Sequence, residues 1–327
     1  MTHVLVTGST GLLGNNVVRS LLARGDKVRC LVRPQHDPRP LAGLEVSTVV
    51  GDLSDMKSIY RAVDGVSHVV HAAADTHIGG RHRERQFAVN VKGTIGLAQA
   101  ARQAAARLVF VSSVDALPAG KRDQPADEAT VGGAKVDCGY VHSKRVAEAE
   151  LEQLIQQGLQ AVIVNPGFML GPWDWKPSSG RMLLTVAQKF TPFGPSGGIS
   201  VCDARDVADA IIAALAGAES GKRYILAGHN MRYIEAWRLF AKVADGRPPL
   251  CPAGPLMKII AGRWGDLLAM LTGREGDVNS AAIRMSDLFH YYDSSRAIQE
   301  LGYRLRPVEG TIADAWNWFR EHGYCRG

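Results

Sequence analysis

Short runs of branched apolar residues alternate with amphipathic helical stretches over the first half of the chain. The first run covers residues 4–6, and residues 15–24 then carry apolar side chains at helical spacing. The pattern recurs, with further strands predicted at 27–32, 46–50, 66–71, 108–112 and 160–165 and helices at 55–63, 85–106 and 140–157. Buried strands that alternate with helices predict an α/β fold with a doubly wound parallel sheet.

The regular alternation of strands and helices ends after Pro166. Residues 167–198 are rich in Gly, Pro and Trp, and the sequence from there on predicts mostly helices, with a further strand at 223–226. We therefore expect one domain over residues 1–166 and a smaller, helix-rich C-terminal lobe over 167–327. Segments near 199–227 are expected to return to the first domain. The lobe should pack over the edge of the sheet where ligands bind in open α/β folds.

A very apolar helix is predicted over residues 255–273, and Lys258, Arg263 and Asp266 interrupt it. Three charges in so short a segment exclude a membrane span. Packing in the core is the favoured interpretation of this helix. A lid, or a helix that faces an apolar substrate, stays open.

Composition and charge narrow the range of functions. Apolar residues make up 46% of the 327 residues and charged ones 21%, which is typical of a globular protein. The five cysteines are scattered without a C-x-x-C pair, so neither a disulfide framework nor a metal site is expected. The net charge of +6 is spread along the chain, so we expect no nucleic-acid partner. No leader precedes the first strand, and we expect a cytoplasmic protein.

A glycine-rich turn joins the first strand to the first helix. Gly8, Gly11 and Gly14 have the spacing G-x-x-G-x-x-G. Glycines there allow a tight turn and let the backbone approach a pyrophosphate, which the free N–H groups of the helix N-terminus then bind. We therefore expect residues 1–166 to be a dinucleotide-binding Rossmann domain and the lobe to bind mainly substrate. The loop residues expected to contact the cofactor are Gly8, Thr10, Gly11, Leu12 and Leu13.

The end of the second strand favours NADP(H), while NAD(H) stays possible. An NAD-dependent protein is expected to carry an acid there that binds the adenine ribose, but the sequence carries Arg33 and no acid. The Arg33 guanidinium suits a 2′-phosphate, and Arg39 is a candidate for a second contact. Asp52 and Leu53, just after the third strand, are expected beside the adenine ring.

Three polar residues suggest proton transfer. Tyr140 and Lys144 lie four residues apart and share one helix face, and Ser113 follows a predicted strand. An ammonium beside a phenol is expected to lower the phenol pKa from about 10 towards neutrality. Tyr140 can then exchange a proton with a carbonyl or hydroxyl oxygen that Ser113 hydrogen-bonds.

Together these motifs resemble those of one family. The chain resembles an extended short-chain dehydrogenase/reductase of the NAD-dependent epimerase/dehydratase superfamily, and in particular its dihydroflavonol-4-reductase-like and hopanoid-associated sugar-epimerase-like branches. Besides the glycine loop and the Tyr140–Lys144 pair, the similar stretches are 51–53, 71–74, 90–94, 111–113 and 165–167.

The resemblance implies specific roles. Tyr140 would be the acid/base, Lys144 its pKa modifier and ribose anchor, and Ser113 the donor that polarises the carbonyl, while Asn90 would support the site. Hydride would pass directly between C4 of the nicotinamide and a substrate carbon. Besides Tyr140 and Lys144, the residues implied to line the cofactor are Ala72, Ala73, Ala74, Val111, Pro166, Gly167, Phe168 and Met169.

Candidate substrate residues rest on weaker signals. They are Asp75, Thr76, His77, Val114, Asp115, Trp173 and Arg181. His77 is a candidate proton carrier, although a surface histidine is the favoured interpretation. Trp173 is explained equally well by stacking on a substrate and by packing between the lobes. Arg181 is a candidate clamp for an anionic group.

An NADP(H)-dependent reductase of an aldehyde or ketone is the leading hypothesis. The alternative is a nucleotide-sugar epimerase or dehydratase that retains NAD, for which an acid after the second strand would be expected. The intact Tyr140–Lys144 pair disfavours a third class, a non-catalytic cofactor sensor. The expected partner is a small-molecule carbonyl or alcohol, with a sterol- or hopanoid-like lipid left open. The protein is expected to be a monomer or a homodimer.

Overall fold

Seven parallel strands form the central sheet, in the order β10-β6-β5-β4-β1-β2-β3. The computed structural model describes residues 2–78, 82–133, 136, 138–272, 276 and 278–325. The strands of this sheet are β1 (His3–Thr7), β2 (Lys27–Val32), β3 (Val46–Val50), β4 (His68–His71), β5 (Arg107–Val111), β6 (Ala161–Pro166) and β10 (Arg223–Leu226). The predicted doubly wound Rossmann-type α/β fold is confirmed.

Helices cover both faces of this sheet, because its strands are apolar on both sides. They are α1 (Leu12–Ala23), α2 (Met56–Val63), α3 (Arg83–Gln86), α4 (Thr94–Gln103), α5 (Gly139–Gln156) and α7 (Ala204–Gly217). One face packs against α1 and α7 around Val17 and Ile211. The other face packs against α2, α4 and α5 around Ile59, Leu97 and Leu151.

The helix predicted over residues 85–106 is interrupted by a π-helix at Phe87–Gly93, between α3 and α4. The Asn90 side chain leaves this segment to bond the main chain of Asp75, and the Thr94 hydroxyl donates to the Asn90 main-chain oxygen. These bonds anchor the widened turn to the loop after β4, as is common for π-helical turns at functional sites.

Apart from α7 and β10, the elements after β6 form a three-stranded sheet, a two-stranded sheet and further helices. The strands are β7 (Phe168–Leu170), β8 (Phe193–Gly194), β9 (Gly198–Asp203), β11 (His229–Arg232) and β12 (Cys251–Pro252). The helices are α6 (Gly180–Gln188), α8 (Tyr233–Lys242), α9 (Pro255–Thr272), α10 (Ser280–Ser286), α11 (Ser295–Leu301) and α12 (Val308–Glu321). An aromatic-rich core that includes Phe240 and Phe319 joins α6, α8 and α12.

The predicted core packing of the helix near residues 255–273 is wrong. The helix exists as α9, but its large apolar side chains are exposed, while the small residues Gly262 and Ala269 are buried. A Cβ on Gly265 would collide with the main chain of Val278, so the small-residue face is in close contact with the segment that leads into α10. Within the described ranges, no helix is both long and apolar enough to cross a membrane.

Candidate active site

The glycine loop forms a cradle at the carboxyl end of β1. Gly8 adopts a φ of +72°, and a Cβ there would lie 2.6 Å from the main-chain nitrogen of Ala73. A Cβ on Gly14 would lie 2.2 Å from the Gly8 main-chain oxygen, so both positions require glycine. No side chain caps the N-terminus of α1 and no acid lies in its first turn. The cradle therefore fits the pyrophosphate of a dinucleotide.

A chain of buried hydrogen bonds fixes the strand ends around this cradle. Thr94 donates to the Asn90 oxygen, so its hydroxyl must accept from Nε2 of His71, 2.9 Å away. Nδ1 of His71 then accepts from the Thr7 hydroxyl at 2.7 Å. Burial lowers the pKa of His71 to about 3, with the Lys144 charge acting in the same direction, so the ring stays neutral.

The residues predicted to bind the adenosine part of the cofactor lie at the edge of the sheet formed by β2 and β3. Arg33 is exposed directly after β2 and has no ion pair among the described residues. The Asp52 carboxylate accepts from the main-chain nitrogen of Ser54, which lowers the Asp52 pKa, and the Arg33 charge contributes in the same direction. Arg39 is bound to Asp37 at 2.6 Å, which disfavours it as a second phosphate contact.

Ser113, Tyr140 and Lys144 come together at the carboxyl end of β5. Tyr140 and Lys144 lie on the first two turns of α5, and both are buried. The main-chain N–H of Asp115 donates to Ser113 Oγ at 3.1 Å, which leaves the hydroxyl proton of Ser113 for another acceptor. The Ser113 side chain also hydrogen-bonds the phenol of Tyr140.

The predicted lowering of the Tyr140 pKa is wrong for this structure. Burial raises the pKa of Tyr140, as does the nearby Asp115 charge, and the hydrogen bond from Ser113 opposes them only in part. Burial also lowers the pKa of Lys144 to about 8, against the attraction of Glu148. The Lys144 ammonium donates to the main-chain oxygen of Val111 at 2.8 Å. Desolvation therefore outweighs the effect expected from the Tyr–Lys spacing, and the phenol is protonated at neutral pH.

A buried polar network behind this trio was missed in the sequence. Asn165 donates from Nδ2 to the main-chain oxygen of Ser113 and to Glu148 Oε1, both at 2.8 Å. The other carboxylate oxygen of Glu148 binds Arg223, which also pairs with Glu152 at 2.8 Å. The spacing of Glu148 four residues after Lys144 was the available signal, because it places the acid on the same helix face.

The loop after β4 is held by Asn90. Its Oδ1 accepts from the Asp75 nitrogen at 2.8 Å, and its Nδ2 donates to the Asp75 oxygen and to Ser143 Oγ, each at 3.0 Å. The Asp75 carboxylate pairs with Arg85 at 3.1 Å and accepts from the His77 main chain. Thr76 is exposed next to it.

Asp115 lies close to several side chains that the sequence analysis did not associate with it. Its charge acts on Tyr140, Tyr233 and Tyr292, and its carboxylate lies 3.6 Å from Nδ1 of His290. The neighbouring Val114 is buried. Three of these groups lie more than 100 residues further along the chain, so no local pattern could have identified them.

Of the remaining substrate candidates, Trp173 lies in the loop between β7 and α6, and Arg181 lies on α6. Trp173 contacts the Arg19 guanidinium, 3.3 Å from the ring centroid, and lies 6.2 Å from the ring of Trp318. These contacts favour packing between the lobes over stacking on a substrate. Arg181 is exposed on the first turn of α6. Pro166 ends β6, and a Cβ on Gly167 would lie 2.8 Å from the Ser200 oxygen, while Phe168 and Met169 pair with β9.

Comparison with known proteins identifies similar chains. The profile of the NAD dependent epimerase/dehydratase family matches residues 4–227. A putative dihydroflavonol 4-reductase from Synechocystis is 35% identical and covers 98% of this chain and 95% of its own. Sterol demethylase protein B from Methylococcus capsulatus is 37% identical over 98% of each chain. A 2-alkyl-3-oxoalkanoate reductase from Shewanella oneidensis is 25% identical over 93% of this chain and 82% of its own.

Solved structures agree with the fold. The crystal structure of gox2253 is 34% identical, covers 100% of both chains and has a TM-score of 0.87. A nucleoside-diphosphate-sugar epimerase from Pseudomonas aeruginosa is 25% identical over 99% of both chains, with a TM-score of 0.81. A UDP-glucose 4-epimerase from Thermus thermophilus, solved with NAD, has a TM-score of 0.77 and is 24% identical over 97% of this chain and 99% of its own.

Proposed function

This chain belongs to the NAD-dependent epimerase/dehydratase family, as an extended short-chain dehydrogenase/reductase that uses a nicotinamide dinucleotide, and we propose that it is an NADPH-dependent reductase of an aldehyde or ketone. Tyr140 is the proton donor in this proposal. The observation that most supports the reductase proposal is the protonated, buried phenol beside the Ser113 hydroxyl. A reductase needs such a donor at the developing alkoxide.

In the proposed carbonyl reduction, Ser113, Tyr140 and Lys144 each have a separate role. When bound, NADPH supplies the hydride. Ser113 Oγ accepts from the Asp115 main-chain N–H, and in the proposed complex its hydroxyl turns from the Tyr140 phenol to donate to the carbonyl oxygen. Tyr140 then gives its proton to that oxygen as negative charge develops. Lys144 stays largely protonated below its pKa of about 8, and its charge stabilises the phenolate that remains.

Arg33 supports the choice of NADPH. It follows β2, where an acid for the ribose is absent, and it shares the sheet edge with Asp52. An exposed guanidinium at this edge suits a 2′-phosphate. In the proposed arrangement Asp52 and Leu53 flank the adenine, and the residues 72–74, 111 and 166–169 line the cofactor.

The proposal also divides the chain into two domains. Residues 1–166 bind the cofactor, and residues 167–327 bind mainly substrate. The return of residues 199–227 to the core is supported by α7, which packs on α1, and by β10, which pairs with β6. Asp75, Thr76, His77, Val114 and Asp115 are proposed at the substrate side of Tyr140, and Arg181 at its outer rim.

An apolar carbonyl compound is the favoured substrate class. Two relatives of this chain are named for a sterol and for 2-alkyl-3-oxoalkanoates. The surroundings of Tyr140 agree with that class, because Val141 and Met285 are buried against it. The competing proposal is an epimerase that retains NAD, which the nucleotide-sugar epimerase from Pseudomonas aeruginosa favours through its similarity.

One experiment separates the two proposals. The protein is denatured and any released nucleotide is identified, and oxidation of NADPH and NADH is then followed with alkyl ketones, steroid ketones, aldehydes and nucleotide sugars. The expected result is no retained nucleotide and turnover of apolar ketones with a higher kcat/KM for NADPH. Retained NAD together with interconversion of nucleotide sugars would establish the epimerase instead.

A further inference from the structure

The apolar face of α9 is turned away from the protein. Nine large apolar side chains on this helix are between 40% and 72% exposed. They are Leu256, Met257, Ile259, Ile260, Trp264, Leu267, Leu268, Met270 and Leu271. The surface of a monomeric soluble protein rarely presents so many contiguous apolar side chains.

The polar groups of α9 are turned towards the protein instead. Lys258 pairs with Asp287 at 2.7 Å, and Asp266 accepts from both the main chain and the hydroxyl of Ser280. These two charges therefore hold the helix to the segment around α10. They leave its outer face without a free acid.

Arg263 is the charge that remains on the outer face. At 100° per residue it lies between Met270 and Leu256 around the helix axis. It is exposed and has no ion pair among the described residues. A guanidinium in the middle of an apolar face suits a surface that offers both acyl chains and phosphate.

We propose that the outer face of α9 docks on a lipid bilayer surface, with its apolar side chains among the acyl chains and Arg263 on a headgroup phosphate. The helix lies in the plane of the interface. Its 18 residues span about 27 Å, so many side chains reach the interface together. Trp264 stands on the same face, as is common for tryptophan at membrane interfaces.

An open groove at the start of α9 fits the same partner. It has a volume of about 600 Å³ and an almost entirely apolar lining that includes Leu256, Ile260 and Trp264. An acyl chain fits such a groove. A second copy of this chain fits the face less well, because two-fold packing would bury Arg263 without a carboxylate from the same face to pair it.

This surface connects to the proposed active site through α10. Residues of α9 pack on α10, and Met285 of α10 packs against Tyr140. Docking at α9 therefore places the substrate side of Tyr140 next to a membrane that dissolves apolar ketones. Only this step to substrate delivery rests on the proposed reductase, and lipid binding itself is measured without turnover.

Vesicle flotation tests the surface with the full-length protein. The vesicles contain phosphatidylcholine with or without phosphatidylglycerol. Leu267→Glu with Leu271→Glu is expected to lower the partition coefficient at least about tenfold. Arg263→Gln is expected to lower it for the anionic vesicles. The matched control is Ile298→Glu on α11, which packs against α7 and β10 and should float like the wild type.

A second measurement does not depend on charged variants. The tryptophan fluorescence of the wild type is expected to shift to the blue on addition of vesicles, because Trp264 enters the bilayer. Trp264→Phe should remove that shift. Circular dichroism melting checks that every variant is folded. Failure of the wild type to bind either vesicle, or flotation of the double variant like the wild type, would overturn the proposal. So would an α9-dependent dimer in sedimentation without lipid binding.

Discussion

Asn165 donates a hydrogen bond from Nδ2 to the main-chain oxygen of Ser113, 2.8 Å away. The second hydrogen of the same amide binds Glu148. Asn165 therefore links β6 to the segment after β5 and to α5, the helix that carries Tyr140 and Lys144. We therefore expect Asn165 to help position Ser113 relative to the phenol, together with the hydrogen bond from the Asp115 main-chain N–H to Ser113 Oγ.

Asn165→Leu tests that link. The change leaves the Ser113 oxygen and a Glu148 oxygen without a donor, and should lower the free energy of unfolding by about 1–3 kcal/mol. It should also lower kcat more than it raises the KM for NADPH, because Asn165 contacts Ser113 and the helix of Tyr140 while the pyrophosphate cradle lies at β1. Urea unfolding and steady-state kinetics measure both. A loss of stability with an unchanged kcat would mean that Asn165 has no positioning role.

Tyr140→Phe tests the proton donor. Removal of the hydroxyl should lower kcat by about 10²–10⁴-fold, while the dissociation constant for NADPH stays near that of the wild type. Turnover and fluorescence titration measure the two quantities. The matched control is Tyr224→Phe, which removes a phenol on β10 that donates to Glu300 at 2.7 Å. Equal losses in both variants would contradict the assignment.

Arg33→Ser tests the cofactor preference. Loss of a charge-assisted contact to the 2′-phosphate should raise the KM for NADPH about tenfold or more and leave that for NADH nearly unchanged. Arg39→Ser is the control, because Arg39 is bound to Asp37. Kinetics with both cofactors measures the ratio. An unchanged ratio in the Arg33 variant would refute the proposed NADP(H) contact.

Lys144→Met tests the buried ammonium in the cofactor-free protein. The folded pKa is about 8 against an ordinary value of 10.5, so the unfolded chain binds more protons between these values. The cost of burying the charge is therefore complete below pH 8 and declines as the pH rises towards 10.5. Urea unfolding should show the variant gaining most on the wild type below pH 8.

Lys222→Met is the control for that experiment. The hydrogen bond that Lys222 donates to Glu300 raises the pKa of Lys222. The contribution of Lys222 to stability therefore has the opposite dependence and is lost only as the pH rises through the raised pKa. A stability difference for Lys144→Met that stays constant from pH 7 to 10 would contradict the lowered pKa of Lys144.

His71 should make the protein sensitive to acid. Its pKa is about 3 in the folded state against 6.5 ordinarily, so the unfolded chain takes up a proton first as the pH falls. The stability contribution of the neutral ring is complete above pH 6.5 and is lost progressively towards pH 3. His71→Gln should flatten the dependence of unfolding free energy on pH between 6.5 and 4. The control is His36→Gln, at a half-buried histidine in the loop after β2. Equal slopes for His71→Gln and wild type would refute the expectation.

Much of the fold could be predicted because local patterns determine it. The strand bounds of β2 and β3 match the predicted ranges, and α5 differs by one residue at each end. The glycine loop, Tyr140 and Lys144 carry their own spacing along the chain. The π-helix around Asn90 could not be predicted, since it depends on bonds to a loop that leaves another strand.

The sequence by itself determined the alternation of strands and helices, the glycine cradle and the order in which Ser113, Tyr140 and Lys144 occur, because each is a short-range property of neighbouring residues. Only the tertiary structure decided the protonation of Tyr140 and the exposure of α9. Burial sets the first, since desolvation outweighs a nearby ammonium. Close packing of Gly262, Gly265 and Ala269 decides the second, because a face of small residues allows closer contact with α10 than one of large side chains.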